Sequence, residues 1–427
     1  MLSFLEINGG MPMRGQIRVQ GSKNAVLPMM AAAILNHGIT VIDNVPFILD
    51  VCYMIHILEA LGCKVDLYKE TLMIDATTVD KTEIPFEWVG KMRSSIMLLG
   101  PLLARCKEAV TYQPGGCSIG KRPIDMHIDA MKQLGAHIEE EDGKIYASCI
   151  KLTGCNIDLP FPSVGATENV IMASICAEGT TVLTNAAREP EIVELCIMLC
   201  RMGANIQGVG SDKLTIQGVK KLHDIEVHNS GDRIVAATYL AAVTAAGGEI
   251  IVEDVETRYM LSTLEAFEAA GCKIDRYDRQ VHLIRQRPLK AISLLQTAPY
   301  PGFPTDVQSQ IMATLTQAIG VSVIEETIFE GRFNTVYELQ KMGADITIDG
   351  SKAYIRGRTK LYGATVKAQD LRGGAALVVA ALAADGATIV EDCHHIFRGY
   401  AGLAENLIGL GANVTAYNID EASEVVL

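Results

Sequence analysis

Leu61-Gly62-Cys63-Lys64-Val65 recurs, with like-for-like changes, as Leu134-Gly135-Ala136-His137-Ile138, Met202-Gly203-Ala204-Asn205-Ile206, Ala270-Gly271-Cys272-Lys273-Ile274, Met342-Gly343-Ala344-Asp345-Ile346 and Leu410-Gly411-Ala412-Asn413-Val414. Each copy reads as a helix end, a glycine free to take the left-handed conformation, and the start of an alternating strand. The glycines fall about 70 residues apart, so the chain is six copies of one unit. Half a unit away a polar cap opens an apolar helix, near Ser22-Lys23-Asn24, Lys91-Met92-Arg93, Ser163-Val164-Gly165, Asp232-Arg233, Thr305-Asp306 and Asp370-Leu371-Arg372. Several of these helices, such as Ala25 to Leu35, Ile234 to Ala246 and Ala375 to Ala384, are apolar all round, which suits the middle of a domain. β-Branched strands follow small loops at Gly38 to Asn44, Gly179 to Thr184, Gly248 to Glu253, Gly320 to Glu325 and Gly386 to Glu391.

Solenoid repeats usually run roughly 20–45 residues, shorter than this unit. The expected fold is therefore α/β, with two closed domains of three units each. Counting from the apolar helices gives domains 22–229 and 1–21 plus 230–427, the first 21 residues completing the last unit.

The chain has 427 residues, 37 Lys+Arg against 50 Asp+Glu, a formal charge of −13 and 49% hydrophobic residues. That balance excludes disorder and nonspecific nucleic-acid binding. No apolar run reaches the roughly 20 residues of a membrane span, and the N-terminus lacks the basic and apolar segments of a secretory signal. A cytoplasmic protein without membrane insertion is expected. The eleven cysteines show no C-x-x-C and read as reduced core residues. Cys196 and Cys200 are one helical turn apart, but no further ligand stands at zinc spacing, and Cys393-His394-His395 is no stronger. No metal site is expected.

Lys23, Arg93, Arg233 and Arg372 fall in first helical turns, where the partial positive charge of the helix repels cations. Four in register point to an anionic ligand that faces both the helix N-terminus and the cation. In Gln113-Pro114-Gly115-Gly116-Cys117-Ser118-Ile119-Gly120-Lys121-Arg122-Pro123, Cys117 sits among glycines beside a basic pair, which lowers a thiol pKa and favours a reactive role. Gly116 to Gly120 also fits the G-x-S-x-G elbow of hydrolases. That motif needs a helix directly after the serine, whereas Pro123 is expected to open the next helix. Asp306 is an N-cap, a general base, or both; Asp370-Leu371-Arg372 and Arg398-Gly399-Tyr400 are equally open on their own.

Taken together, Gly21-Ser22-Lys23-Asn24, Pro114 to Gly120 with Arg122-Pro123 and Asp125, Ser163-Val164-Gly165-Ala166-Thr167, Asn185 to Glu191, Phe303-Pro304-Thr305-Asp306, Phe329-Glu330-Gly331-Arg332-Phe333, Asp370-Leu371-Arg372 and Arg398-Gly399-Tyr400 support a resemblance. Over essentially its whole length the chain resembles the UDP-N-acetylglucosamine enolpyruvyl transferases of bacterial peptidoglycan synthesis, which serve cell-wall growth, shape and division and are the target of fosfomycin. The resemblance implies two inside-out α/β barrels with the active site in the cleft between them. It also implies transfer of the enolpyruvyl group of phosphoenolpyruvate to UDP-N-acetylglucosamine with release of phosphate, and no metal or organic cofactor.

By position in the family's motifs, Lys23, Arg122 and Arg398 resemble the phosphoenolpyruvate anchors, with Arg372 close by. Cys117 resembles the acid that protonates the methylene carbon, and Asp306 the base that takes the sugar hydroxyl's proton. Asn24, Arg93, Pro123, Ile124, Asp125, Met126, Ser163, Val164, Gly165 and Ile328 resemble nucleotide-sugar contacts, and Glu330 and Asp370 join the substrate-binding set. Two departures stand out. Pro160-Phe161-Pro162 replaces a lysine that some members carry before Ser-Val-Gly, and Gly231 stands where proline is common, which is expected to loosen the following helix start. Two other readings share parts of this pattern: the shikimate-pathway enolpyruvyl transferase, which lacks the cysteine loop, and a silent paralogue that only binds a UDP-sugar.

Overall fold

The computed structural model describes residues 3–114, 119–120 and 123–417. All six repeat glycines have φ between 90° and 106°. Each stands one residue past the C-cap of a helix, those helices being Leu49–Ala60, Asp125–Gln133, Pro190–Arg201, Leu261–Ala269, Thr335–Lys341 and Leu403–Gly409. A side chain in that region would crowd the backbone, so glycine ends the helix there and redirects the chain into a strand.

The strand that follows turns back as an antiparallel hairpin in five copies. Lys64–Tyr68 pairs with Thr71–Asp75, His137–Glu141 with Lys144–Ser148, and Asn205–Gln207 with Lys213–Gln217. Lys273–Tyr277 pairs with Gln280–Arg285, and Asp345–Asp349 with Lys352–Gly357. In the sixth copy the partner comes from the other end of the chain: Phe4–Asn8 lies between Asn413–Tyr417 and Ala387–Glu391, antiparallel to both. The second N-terminal strand, Met13–Arg18, runs parallel to Gly248–Glu253.

Two compact units result, one holding residues 21–114 and 123–229, the other residues 3–20, 119–120 and 230–417. Each contains three sheets. In the second unit the helices Arg233–Ala246, Thr305–Leu315 and Leu371–Ala383 pack pairwise on one another. Nearly every side chain on them is buried, and each buried Val, Leu or Ile contributes roughly 1.5–3 kcal/mol. Two polar side chains inside this bundle bond across helices: Thr314 Oγ1 donates to Ala241 O, and Gln310 Nε2 donates to Thr238 Oγ1. In the first unit Leu99–Cys106 packs on Val164–Ser174, and Lys23–Ala32 on the short turn Arg93–Leu98.

Gly231 has a different cause from the repeat glycines. A Cβ there would lie 1.9 Å from the Asp254 carbonyl oxygen, just as one on Gly21 would lie 1.7 Å from that of Asn44. Glycine is therefore required by close backbone approach. The expected loosening of the helix start is absent, because Asp232 Oδ1 accepts from Ile234 N at 2.8 Å and Val235 N at 3.0 Å.

Candidate active site

In the first unit, Ser22 caps Lys23–Ala32 by accepting from Ala25 N at 3.3 Å. This leaves Lys23 as the first helical residue, against the helix field. The field is offset locally: Lys23 Nζ lies 2.9 Å from Asp50 Oδ2, with side-chain exposures of 11% and 1%. Asn24 is half-buried beside it. Arg93 opens the turn Arg93–Leu98 and donates to Pro123 O at 3.4 Å. Ile124 occupies the cap position of Asp125–Gln133, so the helix opens two residues later than the sequence implies, with Asp125 exposed and Met126 half-buried. Ser163 caps Val164–Ser174 by accepting from Ala166 N at 3.4 Å, so Val164 and Gly165 form that helix's first turn.

Asn169, fully buried, ties these pieces together. Its Nδ2 lies 2.7 Å from His127 Nδ1 and donates to Ile96 O at 3.0 Å, while its Oδ1 accepts from Gly100 N at 2.7 Å. One amide on the helix that Ser163 caps thus links the turn opened by Arg93 and the helix opened by Asp125.

The same helix buries a carboxyl. Glu168 has its pKa raised well above the usual carboxylate range by burial first, then by Glu191 and Glu189. Stability linked to this group is full below the unfolded carboxyl pKa of about 4.3 and is lost as pH rises above it, because the unfolded chain ionises while the folded one resists. Glu168→Gln is therefore expected to stabilise the protein at about pH 8 and to have little effect at about pH 4. Urea unfolding at both pH values checks this; an equal shift at the two would refute it.

In the second unit the sequence left Asp306 as an N-cap or a base. The cap position of Thr305–Leu315 is taken by Pro304, and Asp306 lies in the first turn with its carboxylate turned sideways between two guanidiniums. Arg332 Nη2 donates to Oδ1 at 2.5 Å, and Arg372 Nη2 to Oδ2 at 3.3 Å. Both arginine side chains are 4% exposed, whereas that of Asp306 is 26% exposed, so the carboxylate keeps a route to solvent. Burial opposes charge on Arg372, but Asp306, Tyr400 and Asp232 outweigh it and raise its pKa above the ordinary value.

Asp370 caps Leu371–Ala383, accepting from Arg372 N and Gly373 N at 3.0 Å, and its Oδ1 lies 3.8 Å from Arg332 Nη1. Arg372 Nη1 donates to Tyr400 OH at 3.4 Å, and that hydroxyl lies 2.8 Å from Thr238 Oγ1 in the helix bundle. Arg398 ends the short helix His394–Phe397. Burial, then His394 and Arg398, lower the pKa of His395, so this imidazole resists adding charge beside Arg398. Ile328 is half-buried and Glu330 exposed, on the turn before Arg332; within the same unit Gly331 N donates to Ile119 O at 2.8 Å.

Cys117 and Arg122 lie outside the described residues. The ten described cysteines are free thiols, and burial pushes several up, Cys52 to about 11 and Cys63, Cys196 and Cys393 to about 12. Four residues at the site were not read from the sequence as site residues. Arg332 stands in a motif that signalled it, whereas Asp50, Asn169 and Glu326 carry no local pattern.

The EPSP synthase family model (3-phosphoshikimate 1-carboxyvinyltransferase) matches residues 7–407. UDP-N-acetylglucosamine 1-carboxyvinyltransferase 2 of Caldanaerobacter subterraneus subsp. tengcongensis is 46% identical over 409 residues, covering 96% of this chain and 98% of that protein. UDP-N-acetylglucosamine 1-carboxyvinyltransferase of Corynebacterium efficiens is 46% identical over 408 residues, covering 96% and 97%. Among solved structures, the enolpyruvyl transferase NikO from Streptomyces tendae superposes with a TM-score of 0.89 at 25% identity, covering 97% of this chain and 99% of that one. EPSP synthase from Acinetobacter baumannii shares the fold with a TM-score of 0.77 at 18% identity, covering 98% and 100%. With a carboxylate held between buried arginines, capped basic helix starts and near-complete coverage by such relatives, this chain belongs to the UDP-N-acetylglucosamine 1-carboxyvinyltransferase family, within the enolpyruvyl transferases.

Proposed function

We propose that the protein transfers the carboxyvinyl group of phosphoenolpyruvate to the 3′-hydroxyl of UDP-N-acetylglucosamine and releases phosphate, the first committed step of peptidoglycan synthesis. The observation that carries this reading is the 46% identity to relatives of that name over 96% of the chain, with Lys23, Cys117, Asp306 and Arg398 all present. In this reading the two units are inside-out α/β barrels of three repeats, bounded as 22–229 and 1–21 plus 230–427. No helix among the described residues is long and apolar enough to cross a membrane, which is compatible with work on soluble cytoplasmic substrates.

The chemistry assigns roles residue by residue. Lys23, Arg122 and Arg398 hold the anionic substrate and offset charge as phosphate leaves, with Arg372 beside them. Cys117 gives a proton to the methylene carbon, and the sugar hydroxyl adds at the neighbouring carbon as Asp306 takes its proton. The balance closes when the new methyl group gives one proton back to the Cys117 thiolate, the double bond reforms as the bond from carbon to the phosphate oxygen breaks, and the proton taken by Asp306 leaves with phosphate. Asn24, Arg93, Pro123, Ile124, Asp125, Met126, Ser163, Val164, Gly165, Ile328, Glu330 and Asp370 bind the nucleotide sugar or shape its site. No metal or organic cofactor enters this sequence of steps.

The test is phosphate release from phosphoenolpyruvate with UDP-N-acetylglucosamine, run beside phosphoenolpyruvate with shikimate 3-phosphate. Release with the sugar nucleotide alone, abolished in Cys117→Ala, is the expected result. Release only with shikimate 3-phosphate would reassign the acceptor, and release with neither, despite UDP-sugar binding, would leave a silent binding protein.

A further inference from the structure

We infer that Glu326 is the positioning residue that couples the sugar-nucleotide turn to the base. This inference rests on the function proposed above. Glu326 is 5% exposed, and the four hydrogen bonds found on its carboxylate all come from donors. Oε1 accepts from Thr297 Oγ1 at 3.0 Å, Ile328 N at 2.8 Å and Phe329 N at 3.1 Å, and Oε2 accepts from Thr305 Oγ1 at 2.9 Å.

Two arms leave this carboxylate. One fixes the backbone of the turn that carries Ile328. The other runs through the Thr305 hydroxyl, which donates to Glu326 and accepts from Arg332 Nε at 3.2 Å. Arg332 in turn donates to Asp306 Oδ1. Thr305 and Asp306 share the first turn of one helix, so Glu326 sets both the carboxylate's neighbour and the arginine that aims it. A buried acceptor facing only donors cannot be replaced by an amide without loss: whichever way Gln turns, its NH₂ faces N–H or O–H groups.

Glu326→Gln keeps the volume and is expected to lower kcat about tenfold, the scale of one charge-assisted hydrogen bond. It also raises the KM for UDP-N-acetylglucosamine and leaves the KM for phosphoenolpyruvate unchanged. The acid limb of the kcat/KM pH profile moves to higher pH, because a loosened Arg332 favours the Asp306 carboxylate less. Thr305→Val cuts only the second arm and should move kcat and the acid limb while sparing the sugar-nucleotide KM.

A merely structural role lowers the active fraction and moves neither KM nor the pH profile; that pattern overturns the inference, as does wild-type behaviour. Should Glu326→Gln not fold, an unmoved acid limb in Thr305→Val overturns it. If wild-type protein releases no phosphate from this substrate pair, it is the proposed reaction that fails. The inference is then decided by amide hydrogen exchange at Ile328 and Phe329, faster in Glu326→Gln if it holds and unchanged if it does not.

Discussion

Asp306→Asn lowers kcat by roughly 10²–10⁴-fold, the range for loss of a positioned general base, while the KM for phosphoenolpyruvate stays near wild type. The geometry supports a selective loss. Asn preserves the volume and one acceptor but turns an NH₂ toward one of the two guanidiniums that grip the wild-type carboxylate. In the proposed reaction phosphoenolpyruvate is held by cations that include Lys23 and Arg398, so the damage is expected to fall on the step that removes the hydroxyl proton. Steady-state phosphate release over a range of both substrates measures it. A wild-type kcat would remove Asp306 from the role of base.

Asp50→Asn is expected to cost about 3–5 kcal/mol of stability, since breaking a buried ion pair removes the carboxylate that compensates the burial of the ammonium. At about 2–4 °C per kcal/mol for a unit of this size, the unfolding midpoint falls by about 10 °C. The cost is this large because both groups are almost wholly shielded and 2.9 Å apart; an exposed pair would contribute about 1 kcal/mol at most. The double variant Asp50→Asn with Lys23→Met should recover much of the loss, because it removes the ammonium along with its partner. Phosphoenolpyruvate should restore more stability to the single variant than to wild type, its phosphate taking over the missing negative charge. Thermal unfolding with and without the ligand reads all three, and an unchanged midpoint in Asp50→Asn would refute the argument.

The parts of the fold that the sequence disclosed are those set by local chemistry. The glycines at 62, 135, 203, 271, 343 and 411 ended helices as read, because left-handed backbone selects glycine whatever surrounds it. The polar caps at Ser22, Ser163, Asp232 and Asp370 likewise accept from their own first turns. Asp306 escaped the same logic because Pro304, with extended backbone, fills the cap and frees the carboxylate for tertiary partners. Those partners come from Arg332 and Arg372, 26 and 66 residues away. Separations of that kind leave no periodicity or motif, which is why Asp50, Asn169 and Glu326 became visible only once the chain was folded.

The strand Phe4–Asn8, seated between Asn413–Tyr417 and Ala387–Glu391, has a consequence during synthesis. It leaves the ribosome roughly 400 residues before its neighbours, a wait of about 20–80 s at ordinary elongation rates. Through that interval both of its edges are open to any other strand that passes. Its own sheet cannot be sealed until the last neighbour emerges, so a segment made about 400 residues earlier is among the last to be secured, and a chain stalled before residue 387 offers it no place to go.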